Sequence, residues 1–337
     1  MKYVRAAFPK GSVKYEVCTD AIYRVCTMKY DVYPSAFSLQ PSSFKKLMDT
    51  TIPAQQPTNK PLGFWVSFLP PSLWMLGFYF IPILVLLSYA FMQHEYVEII
   101  PKFTWENFAQ ILKNIGYRNT VIRTLYIASI VTGIDALLAF PVAYFLTRYA
   151  GKYKQVLTIL ILLPLWSSYL VRVFAWRIIL GYNGVLNSFL VSLGILSQPS
   201  SLFLYNQFSM VVTLCYVWLP FMILPLVTAF ERLPDNLTEA SADLGAHPWY
   251  TFRRVTLPLV LPGLLAGAVS VFSLTMGDYI TPSLVGGAGD ILIGNIVANQ
   301  FGVADNWPLG SALAMLILLL LFGLMTIISG QGALDNL

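Results

Sequence analysis

The sequence predicts an all-α membrane protein that crosses the bilayer six times, and three observations support this. Of its 337 residues, 57% are hydrophobic and only 11% are charged, whereas a soluble domain carries roughly 25% charged residues. Six stretches reach the length of about 20 apolar residues that a helix needs to span the hydrocarbon core. Basic side chains concentrate in some of the connecting segments and are absent from others. The predicted spans cover residues 69–92, 124–147, 156–176, 208–230, 255–277 and 307–329.

A single apolar run is also compatible with a buried helix of a soluble protein. Six such runs in one chain argue strongly against that alternative, because a soluble fold rarely buries so many helices of membrane-spanning length. Proline recurs inside the predicted spans, for example Pro141 and Pro220. Membrane helices tolerate proline, since neighbouring groups satisfy the backbone carbonyls that it frees.

The distribution of basic residues predicts the orientation of the spans. Residues 1–60 hold nine Lys and Arg against four Asp and Glu, and the segments 148–154 and 231–258 each carry three Lys or Arg. All three segments fall on one side, which the positive-inside rule makes cytoplasmic. We therefore expect both termini in the cytoplasm of a bacterium, with the spans in its plasma (inner) membrane. Arg172 and Arg177, at the outer end of the third span, are expected to snorkel towards the interface.

Three segments are predicted along the chain. Residues 1–60 are polar and proline-containing, and we expect either a disordered cytoplasmic tail or a region upstream of a true start at Met48, in which case residues 1–47 are not translated. Residues 61–330 form the six-helix transmembrane domain, and residues 331–337 form a short cytoplasmic tail.

Several classes of function lack their motifs in this sequence. The chain has three cysteines and two histidines, too few and too scattered for a disulfide framework or a metal site. No phosphate-binding loop, HExxH or Gly-x-Ser-x-Gly motif is present. We therefore expect no catalytic residue, metal or cofactor in this chain. The basic pI reflects the N-terminal tail, so a nucleic-acid partner is not expected either.

The segment at residues 231–258 carries the most informative pattern. Pro234 is expected to start a turn, Thr238 to act as an N-cap, and residues 239–244 to form a short helix. Gly245 stands where a helix commonly ends in a left-handed residue. A short, sharply bounded helix of this kind serves either as a docking element or as an ordinary connection between two spans.

This segment resembles the EAA loop of ABC-importer permeases. The family pattern is Glu-Ala-Ala, three residues, Gly, nine residues, then Ile-x-Leu-Pro. Here Glu239-Ala240-Ser241 is followed by three residues, Gly245, nine residues and Val255-Thr256-Leu257-Pro258. Every spacing matches, and Ser241 and Val255 are the departures.

The resemblance, which extends from about residue 63 to residue 329, implies the type I ABC importer permease (MetI-like) fold. It further implies that ATP is hydrolysed by a separate ATPase subunit, present in two copies, and that a second homologous permease and an extracytoplasmic substrate-binding protein complete the machine. The loop would be the coupling element that docks on the ATPase. The matching residues are Glu239, Ala240, Ser241, Gly245, Leu257 and Pro258.

A closer similarity is to the polyamine branch, the PotB/PotH-like spermidine/putrescine permeases. It rests on residues 277–287, 293–295 and 299–301, and on similar patterns around residues 164–172 and 184–187. The resemblance implies a polyamine cargo. Permeases for phosphonates, sulfate-like anions and ferric ions share parts of these patterns, so those cargoes stay open, whereas a secondary transporter or membrane enzyme fits poorly.

A polyamine path should offer carboxylates and aromatic faces, because both attract cations. Asp135 lies in the middle of the second span, where an ionisable group normally faces the bundle interior; a structural hydrogen bond is the alternative. Asp278 and Tyr279 end the fifth span, either as substrate contacts or as an interfacial pair. Trp166 and Tyr169 lie in the third span, where they either line the path or pack.

Overall fold

The computed structural model describes residues 61–95 and 98–329, so the predicted tails at 1–60 and 331–337 lie outside the described residues. The chain divides into two compact units, Met1–Pro71 and Ser72–Leu337. Only the beginning of the first helix represents the first unit among the described residues. All other described elements belong to the second.

Helices dominate the described part of the chain, and a short antiparallel hairpin pairs Gln93 with Ile100. The elements are α1 (Pro61–Ala90), β1 (Gln93–Glu95), β2 (Glu98–Ile100), α2 (Glu106–Lys113), α3 (Ile115–Arg148), α4 (Lys154–Leu162), α5 (Tyr169–Leu180), α6 (Val185–Ser192), α7 (Gln207–Glu231), α8 (Asp235–Asp243), α9 (Pro248–Thr251), α10 (Leu257–Gly277), α11 (Ile280–Val285), α12 (Ile293–Phe301) and α13 (Trp307–Ser329).

The number of predicted spans agrees with the fold. Among the described residues, α1, α3, α7, the continuous stretch Pro248–Gly277 and α13 are each long and apolar enough to cross a bilayer. A sixth crossing results if the pair Gly151–Trp166 and Tyr169–Ser192, bent by 92°, counts as one span. These six units follow the order of the six predicted stretches.

The expectation of one continuous helix over residues 156–176 is wrong. After α4 the chain tightens into a 3₁₀ turn at Leu163–Trp166 and becomes extended at Ser167 before α5 begins. Pro164 has no N–H to donate to the preceding turn. The Ser167 hydroxyl donates to the Pro164 carbonyl at 2.7 Å, so a side chain replaces helical bonding at the break.

The main core lies where α3, α7 and α10 pack together. Ile127 and Val131 from α3 meet Leu214 and Met222 from α7 and Val271 from α10, and all five are fully buried. A second cluster joins α2, α12 and α13 to the C-terminal end of α1. There the Asn107 side chain donates to the carbonyls of Ala90 and Met92 at 2.9 Å and so satisfies backbone groups that the end of α1 leaves unpaired.

Two glycines allow α10 to approach α7 closely. A Cβ at Gly263 would lie 2.4 Å from the Ala229 Cβ and 2.8 Å from the Pro225 carbonyl oxygen. A Cβ at Gly267, one turn later, would lie 2.8 Å from the Met222 sulfur. Small residues four apart are a common means of close helix contact in membranes, where packing rather than hydrophobic burial drives association.

We predict that Gly263→Ala destabilises the bundle by roughly 1–3 kcal/mol, because the added methyl group overpacks a tight helix contact. Gly133→Ala in α3 is the matched control, since a Cβ there meets nothing within 4 Å and alanine favours the helix. Thermal unfolding of both purified variants in detergent measures the difference. Equal melting temperatures would show that the α7–α10 contact can relax around the methyl group.

Candidate functional site

The connection between α7 and α10 contains the short helix that the sequence predicted, but it begins earlier. The helix α8 runs from Asp235 and Pro234 precedes it, so Thr238 is an interior residue and the predicted N-cap is wrong. The Pro234 carbonyl accepts the Leu237 N–H at 3.3 Å. The proline ring fixes the φ of Pro234 at −67°, a value that suits the entry to a helix. The first turn therefore forms directly after the proline.

Gly245 ends α8 in the left-handed conformation, with a φ of +78°, as the sequence predicted. The Gly245 N–H donates to the Ala242 carbonyl at 2.8 Å, and the Ala246 N–H donates to the Ser241 carbonyl at 3.1 Å. This pair of bonds is the Schellman arrangement, which requires a residue that tolerates positive φ. Open space surrounds the position of a Cβ at Gly245, so the backbone angle is the constraint there.

The departure from the family pattern at Ser241 has a structural role. Its hydroxyl shares a 2.7 Å hydrogen bond with the hydroxyl of Thr251, which joins α8 to α9 across the turn at Gly245. Pro248 occupies the first position of α9, and His247 accepts the Trp249 N–H through Nδ1 at 3.3 Å. Proline is favoured at this position because its missing N–H would be unpaired there anyway.

The loop presents apolar side chains as well as a carboxylate on its surface. Leu244 is 88% exposed, Trp249 is 64% exposed, and Glu239 and Ala240 are also exposed. Leu257 and Pro258 lie in the first turn of α10, directly after a π-helical turn at Phe252–Thr256. Exposed apolar residues grouped in this way are typical of a surface that another protein covers.

Inside the bundle, Asp278 is buried where α10 ends and α11 begins. Its Oδ1 accepts the Ile280 N–H at 2.9 Å and the Thr281 N–H at 3.2 Å, so it caps α11. Its Oδ2 accepts from the Tyr169 hydroxyl at 2.5 Å and from the Thr281 hydroxyl at 2.6 Å. Asp278 thus has four hydrogen bonds and connects the broken third span to the end of the fifth.

Tyr169 links this carboxylate to α7. Its ring stacks on Trp218 with 5.3 Å between centroids and 15° between planes. The Arg172 guanidinium lies 5.8 Å from the centre of the Tyr169 ring, and its Nη1 donates to the Val217 carbonyl at 3.3 Å. The Arg172 side chain therefore turns onto α7 and contributes one buried nitrogen, Nε, to this region.

Asp135 is fully buried between α3 and α7. Neither carboxylate oxygen accepts a hydrogen bond of ordinary geometry, although the Cys215 thiol lies close enough to interact with it. The Thr132 hydroxyl, three residues earlier in α3, is also buried without a partner. The structural hydrogen bond considered as an alternative role for Asp135 is thus at most this weak thiol contact.

The other two predicted residues lie apart from the contacts between Tyr169 and Asp278. Trp166, in the turn before the break, is 83% exposed, and Tyr279 is 49% exposed. The Tyr279 carbonyl accepts from the Asn295 side chain at 2.7 Å. Of the five predicted path residues, the structure therefore joins Tyr169 to Asp278, buries Asp135 separately, and leaves both Trp166 and Tyr279 on the surface.

Sequence reasoning missed three members of the cluster. Trp218 carries no sequence signal, because it is one apolar residue among many in its span. Arg172 lies three residues after Tyr169, a spacing that places both on one helix face, and this signal was available. Thr281 follows Asp278 by three residues, the separation at which a capping side chain meets a backbone N–H.

Segments that carried the closer family similarity line a cavity of about 660 Å³ beside α11 and α12. Asn295, Asn299 and Gln300 contribute amide groups to it, and Ser283 contributes a hydroxyl. Tyr117 closes another side. Amide and hydroxyl groups therefore share the cavity with an apolar lining, and none of the residues that line it is charged.

Comparison with known proteins identifies the family. The family described as binding-protein-dependent transport system inner membrane component matches residues 135–332. The chain is 38% identical to the inner membrane ABC transporter permease protein YdcU of Escherichia coli K12, over 83% of this chain and 93% of that protein. It is 36% identical to the spermidine/putrescine transport system permease protein PotB of Haemophilus influenzae, over 74% of this chain and 88% of that protein.

The fold agrees with solved transporters. A chain of a bacterial alginate ABC transporter, solved in complex with an alginate-bound periplasmic protein, aligns with a TM-score of 0.63 over 81% of this chain and 94% of its own. The identity is 15%, so this similarity concerns the fold alone. The chain therefore belongs to the family of binding-protein-dependent transport system inner membrane components, and it is a multi-pass permease subunit of an ABC importer.

Proposed function

We propose that this permease moves polyamines such as spermidine and putrescine into the cytoplasm. The observation that carries the proposal is the similarity to relatives named for spermidine/putrescine transport, which this chain matches along most of their length. The residues that would handle the cargo are the buried carboxylates Asp135 and Asp278 and the aromatic pair Tyr169 and Trp218.

The charges and rings of the bundle suit a polycation. Asp135 lacks the hydrogen bonds that a buried carboxylate normally has, so an ammonium group would supply the missing donors. The stacked rings of Tyr169 and Trp218 offer aromatic faces, which attract cations. Residues 278–306 contain no Lys or Arg, and a segment with only acidic charges favours the entry of cations.

The same proposal includes the partners. A binding protein on the outer face would deliver the cargo, and a second, homologous permease would complete the path. Two ATPase copies would supply the energy, since this sequence has no phosphate-binding loop. The three Lys or Arg residues in each of the segments 148–154 and 231–258 favour a cytoplasmic location for the coupling loop and for both termini.

Coupling would run through the surface of α8 and α9. Pro234 precedes α8 and the left-handed Gly245 follows it. A helix bounded in this way at both ends would keep its shape when a partner pushes on it. The exposed Leu244 and Trp249 would fill apolar hollows of the ATPase, and Glu239 would pair with a basic side chain. The hydroxyl bond between Ser241 and Thr251 would transmit the movement to α9 and then to α10.

An anionic cargo is the second candidate, and one observation favours it. Arg172 Nε and Trp218 Nε1 are buried donors without acceptors, as a site for an oxyanion would require. The molybdenum transport system permease protein ModB of Azotobacter vinelandii is a more distant relative, 29% identical over 49% of this chain. The two carboxylates in the bundle argue for the cation.

Uptake by the complete transporter in proteoliposomes separates the two cargoes. The vesicles contain ATP, this chain, the second permease and the ATPase, and the loaded binding protein is added outside. Labelled spermidine and putrescine are compared with labelled molybdate and sulfate. We expect uptake of a polyamine alone. Uptake of an anion without uptake of either polyamine would refute the polyamine proposal and leave the family assignment intact.

Replacing Asp135 with Asn tests the cation site. This change retains the shape of the side chain and removes the carboxyl group that would face a bound ammonium group, so polyamine uptake should fall about tenfold, in line with the loss of one hydrogen bond to a charged group. Glu106→Gln is the control, since it removes one acidic charge from the exposed first turn of α2, outside residues 278–306. Asp278→Asn should also reduce uptake, but it disturbs a cap, so its melting temperature is measured as well. Normal uptake by Asp135→Asn would exclude this carboxylate from the path.

Replacing Gly245 tests the coupling loop. Valine is strained at a φ of +78°, so Gly245→Val should abolish transport and ATPase stimulation while membrane insertion stays normal. Asparagine tolerates the left-handed region, so Gly245→Asn should retain most of the activity. Both are measured by uptake and by quantifying the protein in membranes. Full activity of the valine variant would mean that coupling does not depend on this turn.

A further inference from the structure

Arg172 is a positively charged residue that lies beside the ring and the carboxylate proposed to bind a cationic cargo. Its guanidinium lies over the Tyr169 ring at 5.8 Å and reaches α7 through the Val217 carbonyl. The same ring stacks on Trp218, and its hydroxyl donates to Asp278. A positively charged side chain thus rests on the aromatic face that a polyamine would use, in direct contact with the cluster at the break of the third span.

The contacts of Arg172 are weak for a guanidinium that is partly buried. Its hydrogen bond to Val217 is long, at 3.3 Å, and its Nε is buried with no acceptor. Within the described part of the chain, no carboxylate forms an ion pair with it. A buried donor without a partner is unfavourable, so this arrangement is one that a competing cation can displace.

Arg177 provides a natural comparison on the same helix. Its guanidinium also lies 5.8 Å from the centre of a tyrosine ring, that of Tyr205. It donates to the Tyr205 hydroxyl at 2.9 Å on the exposed surface. The two arginines therefore share the residue type, the helix and the ring distance, and they differ in whether the ring belongs to the buried cluster.

We propose that Arg172 is a resident cation that closes the path when no cargo is present. Its guanidinium takes the place of a polyamine ammonium group on Tyr169 and connects α5 to α7 across the broken span. Arriving cargo displaces the guanidinium, which frees α5 from Val217 and opens the path. This inference rests on the proposed polyamine function, and it adds a gate that is selective for cations because only a cation competes for the same face.

The test compares Arg172→Gln with Arg177→Gln in proteoliposomes that contain the complete transporter. One measurement is ATP hydrolysis without the binding protein, which requires no cargo. The other is passive leak of preloaded labelled spermidine without ATP. We expect Arg172→Gln to raise both by about fivefold, as the loss of a modest contact shifts a closed–open equilibrium, and Arg177→Gln to leave both unchanged.

Arg172→Lys adds a second criterion, because it keeps the charge and loses the planar group. If Arg172 acts as a resident cation, the lysine variant should keep the leak low. If the guanidinium has a purely structural role, the lysine variant should leak as much as the glutamine variant. Melting temperatures establish that each variant is folded. Unchanged hydrolysis and leak in Arg172→Gln, or an equal rise in Arg177→Gln, would overturn the gate. Failure of the polyamine function is detected separately, by the absence of polyamine uptake in the unmutated transporter.

Discussion

The close packing of α7 against α10 is the constraint on which the rest of this structure depends. Lipid tails are as apolar as the side chains, so hydrophobic burial alone does not hold two membrane helices together. Gly263 lets the backbone of α10 approach Ala229 of α7, and Gly267 lets it approach Met222. Because α3 packs on both helices, the same core also holds Asp135 of α3 beside Cys215 of α7.

The broken third span gives the bundle its polar interior. A continuous helix would carry Tyr169 and Arg172 on one straight rod. The extended backbone at Ser167 and Ser168 turns α5 so that Tyr169 reaches both Trp218 and Asp278. In a membrane, such an interruption is tolerated only where other groups satisfy the freed backbone, and Ser167 contributes one such bond to Pro164. The break thus places a carboxylate, two rings and a guanidinium in one cluster.

The turn at Gly245 and the hydrogen bonds around Asp278 adjoin opposite ends of one continuous helical stretch. Pro248–Gly277 begins at the turn that follows Gly245 and ends at Asp278, which caps α11. A π-helical turn at Phe252–Thr256 interrupts its regular bonding, and such turns often occur at functional sites. A movement imposed on α8 therefore has a direct covalent route to the carboxylate that Tyr169 and Thr281 hold. The two tight glycine contacts in the middle of the stretch favour movement of α7 and α10 together.

The sequence by itself determined the features that depend on local pattern. The length and composition of the apolar runs predicted the spans, because the bilayer thickness sets a length that any helix must reach. Gly245 indicated a left-handed turn, because few other residues adopt a positive φ. The fixed spacing of the motif at residues 239–258 identified the family. The tertiary structure alone decided the interior. Asp278 is a cap with four hydrogen bonds, whereas Asp135 is a carboxylate with only the Cys215 thiol beside it, although both are acidic residues in or beside an apolar run. The partners of a buried polar group come from helices distant in sequence, Tyr169 for one and Cys215 for the other, and only the packing of those helices determines which groups meet.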